Sequence, residues 1–154
     1  MDTKTPLKRV LELQPLSHDH HHGLLLCWKI RTGLSRNIAP ERIKKYADWF
    51  FKSHLVPHFE LEEKYVFTVL EEENELRRQA LNEHEHLRAL FGQTLDLENT
   101  VKNIEKELEA HIRFEERVLF SEVQKAATKE QLAKIQEIHL TESFAENEED
   151  LFWK

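Results

Sequence analysis

The sequence predicts an all-α protein: an antiparallel up-down-up-down four-helix bundle with a short N-terminal segment and a short C-terminal fifth helix. Apolar residues recur at intervals of three and four along almost the whole chain of 154 residues, which is the spacing of amphipathic helices. Only three glycines and four prolines are present, which favours long helices over a many-stranded sheet. Four long helical segments joined by short links favour the antiparallel order of a bundle.

The first helices are predicted from prolines and capping residues. Thr5 and Pro6 suit the cap and first turn of a short leading segment. Pro15 and Ser17 then open the first long helix, which extends to about Leu34.

The second helix begins at Pro40 and extends to about Leu70. Pro57 lies inside it and removes one backbone hydrogen bond, so we expect a kink at that position. A short acidic link, EEENE, leads to a third helix from about Leu76 to Phe91.

The last part of the chain contains a fourth long helix and a short fifth one. Whether the third helix continues past Gly92 is left open by the sequence. Asn99 or Thr100 is the expected cap of the fourth helix, which extends to about Ala127. TKEQ, residues 128–131, has the pattern of a capping box for the fifth helix. The final ENEEDLFWK is acidic with an aromatic end, and we expect partial disorder there.

Length, charge and cysteine usage restrict the class of protein. Residues 1–154 are predicted to form one domain, with the bundle core at about 15–127 and the C-terminal helix and tail at 128–154. A net charge of −7 argues against a nucleic-acid partner. No apolar run is long enough for a membrane span, and the N-terminus lacks the apolar region of a secretory signal. The single cysteine, Cys27, excludes an internal disulfide and favours a cytoplasmic location.

A repeated motif indicates where the chemistry lies. HFELEEKYVF, at His58–Phe67, and HIRFEERVLF, at His111–Phe120, share the pattern H-x-x-x-E-E-x-x-x-F. In H-x-x-x-E the two side chains are one helical turn apart, so they lie on the same face of the helix. The motif occurs on the second and fourth predicted helices, so two matching His–Glu pairs are expected in one bundle.

Helical phase places both pairs toward the core. Around His58 and Glu62 the same face carries Phe51, Leu55 and Val69; around His111 and Glu115 it carries Ile104, Leu108 and Val118. The second glutamates of the motif, Glu63 and Glu116, are expected to face solvent. A carboxylate turned into a core is costly unless it is paired or bound to a cation, and a metal ion would serve both pairs. The alternative is that these are boundary residues bridged by arginine or lysine.

The other histidines are sorted by the same phase argument. His20, among Leu13, Leu16, Leu24 and Cys27, faces the core, and so does His84, among Leu81, Leu87 and Phe91. His21 and His54 are further candidate ligands; for His54, a partly buried histidine hydrogen-bonded nearby is the alternative. His18, His22 and His86 are predicted to point to solvent, and His139 is expected to pack rather than bind metal.

The predicted inward set contains four imidazoles and two carboxylates, which suits a dinuclear site with bridging glutamates. Mixed nitrogen and oxygen ligation favours iron or manganese over the thiolate-rich sites typical of structural zinc.

Taken in chain order, the predicted inward residues resemble the ligand pattern of the hemerythrin-like (HHE cation-binding) family, and the resemblance covers roughly residues 15–122. The family pattern is a first-helix histidine, H-x-x-x-E, a third-helix histidine and H-x-x-x-[E/D]. The sequence supplies these as His20, His58 with Glu62, His84, and His111 with Glu115. The resemblance implies two iron ions with an oxo or hydroxo bridge, manganese or zinc being the alternatives, and a small ligand such as dioxygen or peroxide. It identifies no protein partner.

One departure bears on the function that this resemblance implies. Oxygen-carrying members have H-x-x-x-H on the third helix, whereas here the positions one turn from His84 are Ala80 and Arg88. Oxygen carriers also place the final carboxylate five residues after its histidine, the position of Glu116. These differences favour peroxide chemistry, or an iron- or oxygen-sensing module without turnover, over reversible oxygen carriage. Whether the protein is an enzyme is left open.

Overall fold

A computed structural model describes residues 9–139 and 144–154, and these residues form an all-α bundle without a β-strand. Thr5 and Pro6, the predicted start of a leading segment, lie outside the described residues. A single 3-10 turn, Leu11–Leu13, precedes the first long helix. Among the described residues there are five helices: α1 (Gln14–Ser35), α2 (residues 40–69), α3 (Glu75–Phe91), α4 (residues 97–126) and α5 (Lys129–His139). None of these helices is long and apolar enough to cross a membrane.

Helix α2 continues through Pro57. The proline lies at the start of the α-helical segment Val56–Leu61, directly after the π-helical segment Phe51–Leu55. We expected a kink because proline lacks a backbone N–H. The structure accommodates the missing hydrogen bond with a wider π-helical turn directly before the proline. Two further π-helical segments, Glu62–Val66 in α2 and Glu115–Leu119 in α4, each begin at the glutamate of an H-x-x-x-E motif.

The structure confirms the predicted cap of α5, contradicts that of α4, and resolves the end of α3 that the sequence left open. The Asn74 side chain accepts hydrogen bonds from two backbone N–H groups and caps α3, which ends at Phe91 and is followed by Gly92. Thr128 and Gln131 form the predicted capping box at α5. Helix α4 begins at Leu97, so the predicted cap at Asn99 or Thr100 is wrong. The chain enters α4 earlier because Asp96 adopts a left-handed conformation, which aspartate tolerates better than most residues.

The apolar core is divided into two clusters along the bundle. On α1, Leu16 belongs to one cluster and Leu26 to the other; on α4, Leu119 and Leu108 are divided in the same way. On every bundle helix the polar residues of the predicted site lie at or beside the boundary between the two clusters. The site therefore forms a polar layer enclosed by apolar side chains at both ends.

The C-terminal tail is packed on the bundle, so the predicted partial disorder is wrong for residues 146–154. Phe152 and Trp153 are buried and belong to the core cluster that contains Leu26. Lys29 on α1 is buried beside the tail, with its Nζ atom 2.8 Å from Glu146 and 4.1 Å from the centre of the Trp153 ring. The tail thus combines aromatic burial with a charge pair and a cation–π contact.

Candidate metal centre

Six polar side chains of the four bundle helices converge between the two apolar clusters. They are His20 on α1, His58 and Glu62 on α2, His84 on α3, and His111 and Glu115 on α4, and all six are buried. Glu62, His84 and Glu115 have no exposed surface. These are the six residues that helical phase predicts to face the core.

Glu62 lies between histidines of different helices. Its Oε2 atom is 3.2 Å from His58 Nε2 and 3.8 Å from His20 Nε2. Its other oxygen, Oε1, is 3.2 Å from His84 Nε2. The carboxylate therefore presents one oxygen to the His20–His58 side of the site and the other to the His84 side.

Glu115 repeats this arrangement from α4. Its Oε1 atom is 2.7 Å from His20 Nε2, and its Oε2 atom is 3.2 Å from His111 Nε2 and 3.8 Å from His84 Nε2. The six residues thus form two groups that share Glu62 and Glu115, one with His20 and His58 and the other with His84 and His111, and the ligand atoms within each group lie within 4.8 Å of one another. Each group could hold a cation, and both carboxylates belong to both groups.

The outward nitrogen of each histidine is bonded to a carboxylate of a neighbouring helix. Asp19 contacts His58 at 3.0 Å, Glu63 contacts His84 at 2.6 Å, Glu83 contacts His111 at 2.7 Å and Glu116 contacts His20 at 2.6 Å, in each case through Nδ1. Because a carboxylate accepts, each Nδ1–H donates and each Nε2 is directed to the centre. We call Asp19, Glu63, Glu83 and Glu116 the outer carboxylate ring. Each helix hydrogen-bonds to the histidine of the next helix, and Glu116 on α4 returns to His20 on α1, so the contacts run all the way around the bundle.

Several inner atoms lack a hydrogen-bond partner within the described part of the chain. They are both oxygens of Glu62, Oε2 of Glu115, and Nε2 of His84 and His111. Buried polar atoms are nearly always hydrogen-bonded, and leaving one unpaired costs roughly 1–3 kcal/mol. Since all of these atoms can ligate a cation and face one another, the residues fit a metal centre.

The carboxylates shift the protonation of the inner histidines. Burial lowers the pKa of an imidazole, but Glu62 and Asp19 outweigh burial at His58 and raise its pKa to about 9. At His111 burial is likewise outweighed, chiefly by Glu115, and the pKa rises to about 10. Burial raises the pKa of the Glu62 carboxyl, yet His58 and His20 hold it well below its usual range. A metal ion held by these residues would replace protons that otherwise balance the buried carboxylates.

The remaining histidines lie outside the two ligand groups found among the described residues. His21 is exposed on α1 because it follows His20 by one position and so points about 100° away. The structure does not bring His54 to either group: its ring packs against Trp49, Phe50 and Phe144. His18 and His86 are exposed, as predicted, and His22 is half-buried.

His139 is buried on α5 and, as predicted, lies outside both ligand groups. Its Nε2 atom is 2.6 Å from Asp19 Oδ2. Because Asp19 also contacts His58, a chain of polar contacts connects α5 with the centre.

A small cavity adjoins the His20–His58 side of the site. Its volume is about 40 Å³, and His20, His58 and His111 form part of its wall. Most of the remaining wall is apolar: Gly23, Phe50, Leu55, Phe59, Leu108, Ile112 and Phe144. Asp19, His22, His54 and Phe144 are only partly buried and form its rim. Space for one small molecule therefore exists beside the candidate metal ligands.

The outer carboxylate ring is the part of the site that the sequence analysis missed. Glu63 and Glu116 were expected to face solvent, yet their side chains are only 25% and 30% exposed and reach His84 and His20. A signal was present: each ring member is the immediate sequence neighbour of an inner ligand, as in Asp19–His20 and Glu83–His84.

An all-α bundle with two groups of imidazole and carboxylate ligands in its core defines a metal-binding helical protein. The family model described as the hemerythrin HHE cation binding domain matches residues 11–102, and the chain belongs to this family. The match includes His20, His58, Glu62 and His84, whereas His111 and Glu115 lie beyond it and are placed at the site by the structure. No curated protein and no solved structure matches the chain significantly.

Proposed function

We propose that the protein holds two iron ions in its single domain and binds or reacts with dioxygen or peroxide there. Glu62 and Glu115 would each give one oxygen to either ion, with His20 and His58 on one side and His84 and His111 on the other. A ligand set of four imidazoles and two carboxylates favours iron or manganese over structural zinc, whose sites are typically rich in thiolates. The single cysteine, Cys27, is buried in the apolar cluster and agrees with the proposed cytoplasmic location.

The cavity beside His20, His58 and His111 is the observation that most directly supports a reaction with dioxygen or peroxide. At about 40 Å³ it admits one small molecule and excludes bulky organic substrates. Bound iron would supply the Lewis acidity and the electrons that such a ligand requires. The chain supplies an apolar wall that limits water, and histidines whose orientation is fixed by the outer carboxylate ring.

Stacking adds to this fixed orientation. The Phe59 ring lies 3.8 Å from the His84 ring at an interplanar angle of 15°, and Phe120 stacks on His20 at 5.2 Å. His84 and His20 are therefore held by both a hydrogen bond to the outer carboxylate ring and a stacked ring, as a preorganised centre requires.

Metal analysis and oxygen reactivity test the proposal. Protein purified with iron should carry two ions per chain, and an anomalous map at the iron edge should place both between Glu62 and Glu115. Reduced, iron-loaded protein should change its visible spectrum when exposed to dioxygen or peroxide. A centre that fills with iron but stays spectrally unchanged with both reagents would refute the oxygen chemistry, and a centre that takes no iron would refute the metal assignment.

The contact chain from His58 through Asp19 to His139 favours a second candidate, an iron- or oxygen-sensing module without turnover. In that case occupancy of the centre would alter the docking of α5. Steady consumption of peroxide or dioxygen by the purified protein supports an enzyme. Absence of turnover, together with a metal-dependent change in proteolysis at α5, supports the sensor.

A further inference from the structure

Two histidines outside the centre are arranged as a pair. His18 and His22 lie one turn apart on the outer side of α1, and their Nε2 atoms are 3.4 Å apart. Their rings are perpendicular, with centroids 4.9 Å apart. Neither residue belongs to the two ligand groups of the centre.

The separation suits a shared cation better than a direct hydrogen bond. Hydrogen bonds from ring N–H groups are normally about 2.7–3.2 Å long, so 3.4 Å is a weak contact. Two imidazole nitrogens bound to one tetrahedral ion at about 2.0–2.1 Å lie about 3.3–3.4 Å from each other. The two Nε2 atoms therefore already have the spacing of ligands on one metal ion.

The pair lies where the protein surface meets the buried cavity. A surface groove between the start of α1 and α5 is lined by His18 and His22, among others. This groove and the cavity beside the centre have Asp19, His22 and Phe144 in common. Asp19 in turn contacts His58, so imidazole and carboxylate ligands extend from the surface to the centre.

We propose that a divalent transition-metal ion binds between His18 and His22 and passes by way of Asp19 to the buried centre. Imidazole is a preferred ligand of such ions, and the net charge of −7 favours their approach. The surface site stands on the geometry of the pair alone. The transfer step rests on the proposed metal centre.

Zinc binding to the full-length apoprotein separates the two sites. Zinc at this surface pair should be removed by a brief EDTA quench, whereas zinc in the buried centre should resist it. His18→Ala is the test variant because His18 lines the groove but not the cavity. His86→Ala is the matched control, since His86 is an exposed histidine on α3.

The native protein and His86→Ala should bind EDTA-labile zinc, and His18→Ala should lose it. Resistant zinc should reach the same final amount in all three proteins, but several-fold more slowly in His18→Ala. Equal labile zinc in native protein and His18→Ala overturns the surface site, and equal loading rates overturn the transfer. If the native protein never acquires resistant zinc, the proposed centre and the transfer fail together, while the labile zinc still decides the surface site.

Discussion

Glu83 on α3 accepts a hydrogen bond of 2.7 Å from Nδ1 of His111 on α4. The same relationship recurs from each helix to the next, so that the orientation of every inner histidine depends on its neighbour. Fixing the Nδ1 proton keeps Nε2 available to a cation and makes the imidazole a better ligand.

Replacing Glu83 with glutamine should weaken metal binding without unfolding the bundle. Loss of such an outer partner typically lowers metal affinity about 10- to 100-fold. Competition with a chelator of known affinity measures the effect. Glu85→Gln is the control on the same helix, because the Glu85 side chain is 77% exposed. Equal affinities of the two variants would show that the outer carboxylate ring does not support the ligands.

Glu62→Ala should remove metal from both halves of the centre. Because Glu62 faces His58 with one oxygen and His84 with the other, its loss deprives both ligand groups of a donor. Metal content after gel filtration should fall well below that of Glu60→Ala, a control at an exposed position of the same helix. Retention of one ion per chain would contradict the bridging arrangement.

The metal-free protein should lose stability at alkaline pH. The folded-state pKa values of His58 and His111, about 9 and about 10, lie above the ordinary value of 6.5. Their contribution to stability is therefore fully present below about pH 6.5 and is lost as the pH rises through about 9 to 10. For His58 alone the shift corresponds to on the order of 3 kcal/mol.

Urea unfolding of the chelated protein at pH 7 and pH 10 measures this loss. The metal-loaded protein is the control, because its histidines already ligate metal without a proton on Nε2, and its stability should change less over the same interval. A chelated protein that is equally stable at both pH values would contradict the protonated histidine–carboxylate pairs.

Helical phase predicts the inner ligands from the sequence, but it does not predict the outer carboxylate ring. Helical periodicity fixes the face on which His20 or Glu115 lies, and one apolar stripe per helix then directs that face inward. The same periodicity directs Glu63 and Glu116 away from the core, but it says nothing about how far a glutamate reaches along a neighbouring helix. Long side chains at the edge of the stripe therefore need the packed structure to reveal their partners.

The packing of the C-terminal tail on the bundle was not predicted, for a related reason. Acidic residues dominate the local composition, which is typical of disorder. The partners of Phe152 and Trp153 are provided by α1 and α2, far away in sequence. Local sequence patterns do not reveal contacts between residues that are so far apart in the chain.

Gly33→Ala should displace the docked tail. A Cβ atom at Gly33 would lie 2.6 Å from Cε1 of Phe152 and 3.0 Å from Cδ1 of Ile43, so the aromatic ring must move. The expected net loss of stability is on the order of 1 kcal/mol, with Trp153 fluorescence, recorded in a Trp28→Phe, Trp49→Phe background, shifted toward that of an exposed indole. At Gly92 the nearest atom would be 3.4 Å away, which makes Gly92→Ala the control. Unchanged Trp153 fluorescence in Gly33→Ala would mean that the tail does not depend on this close contact.

Phe144 should control the access of small ligands to the cavity. Its ring stacks on His22 with centroids 4.1 Å apart and lies 4.6 Å from the His54 ring, at the partly exposed rim of the cavity. Phe144→Ala widens this rim without altering an inner ligand, so dioxygen should associate faster with the reduced, iron-loaded protein while the metal content stays the same. Stopped-flow absorbance measures the association rate. Phe51→Ala truncates an aromatic ring that stacks on Phe91 away from the cavity, and it should leave the rate unchanged. Identical association rates in Phe144→Ala and the native protein would show that ligands enter the cavity by another route.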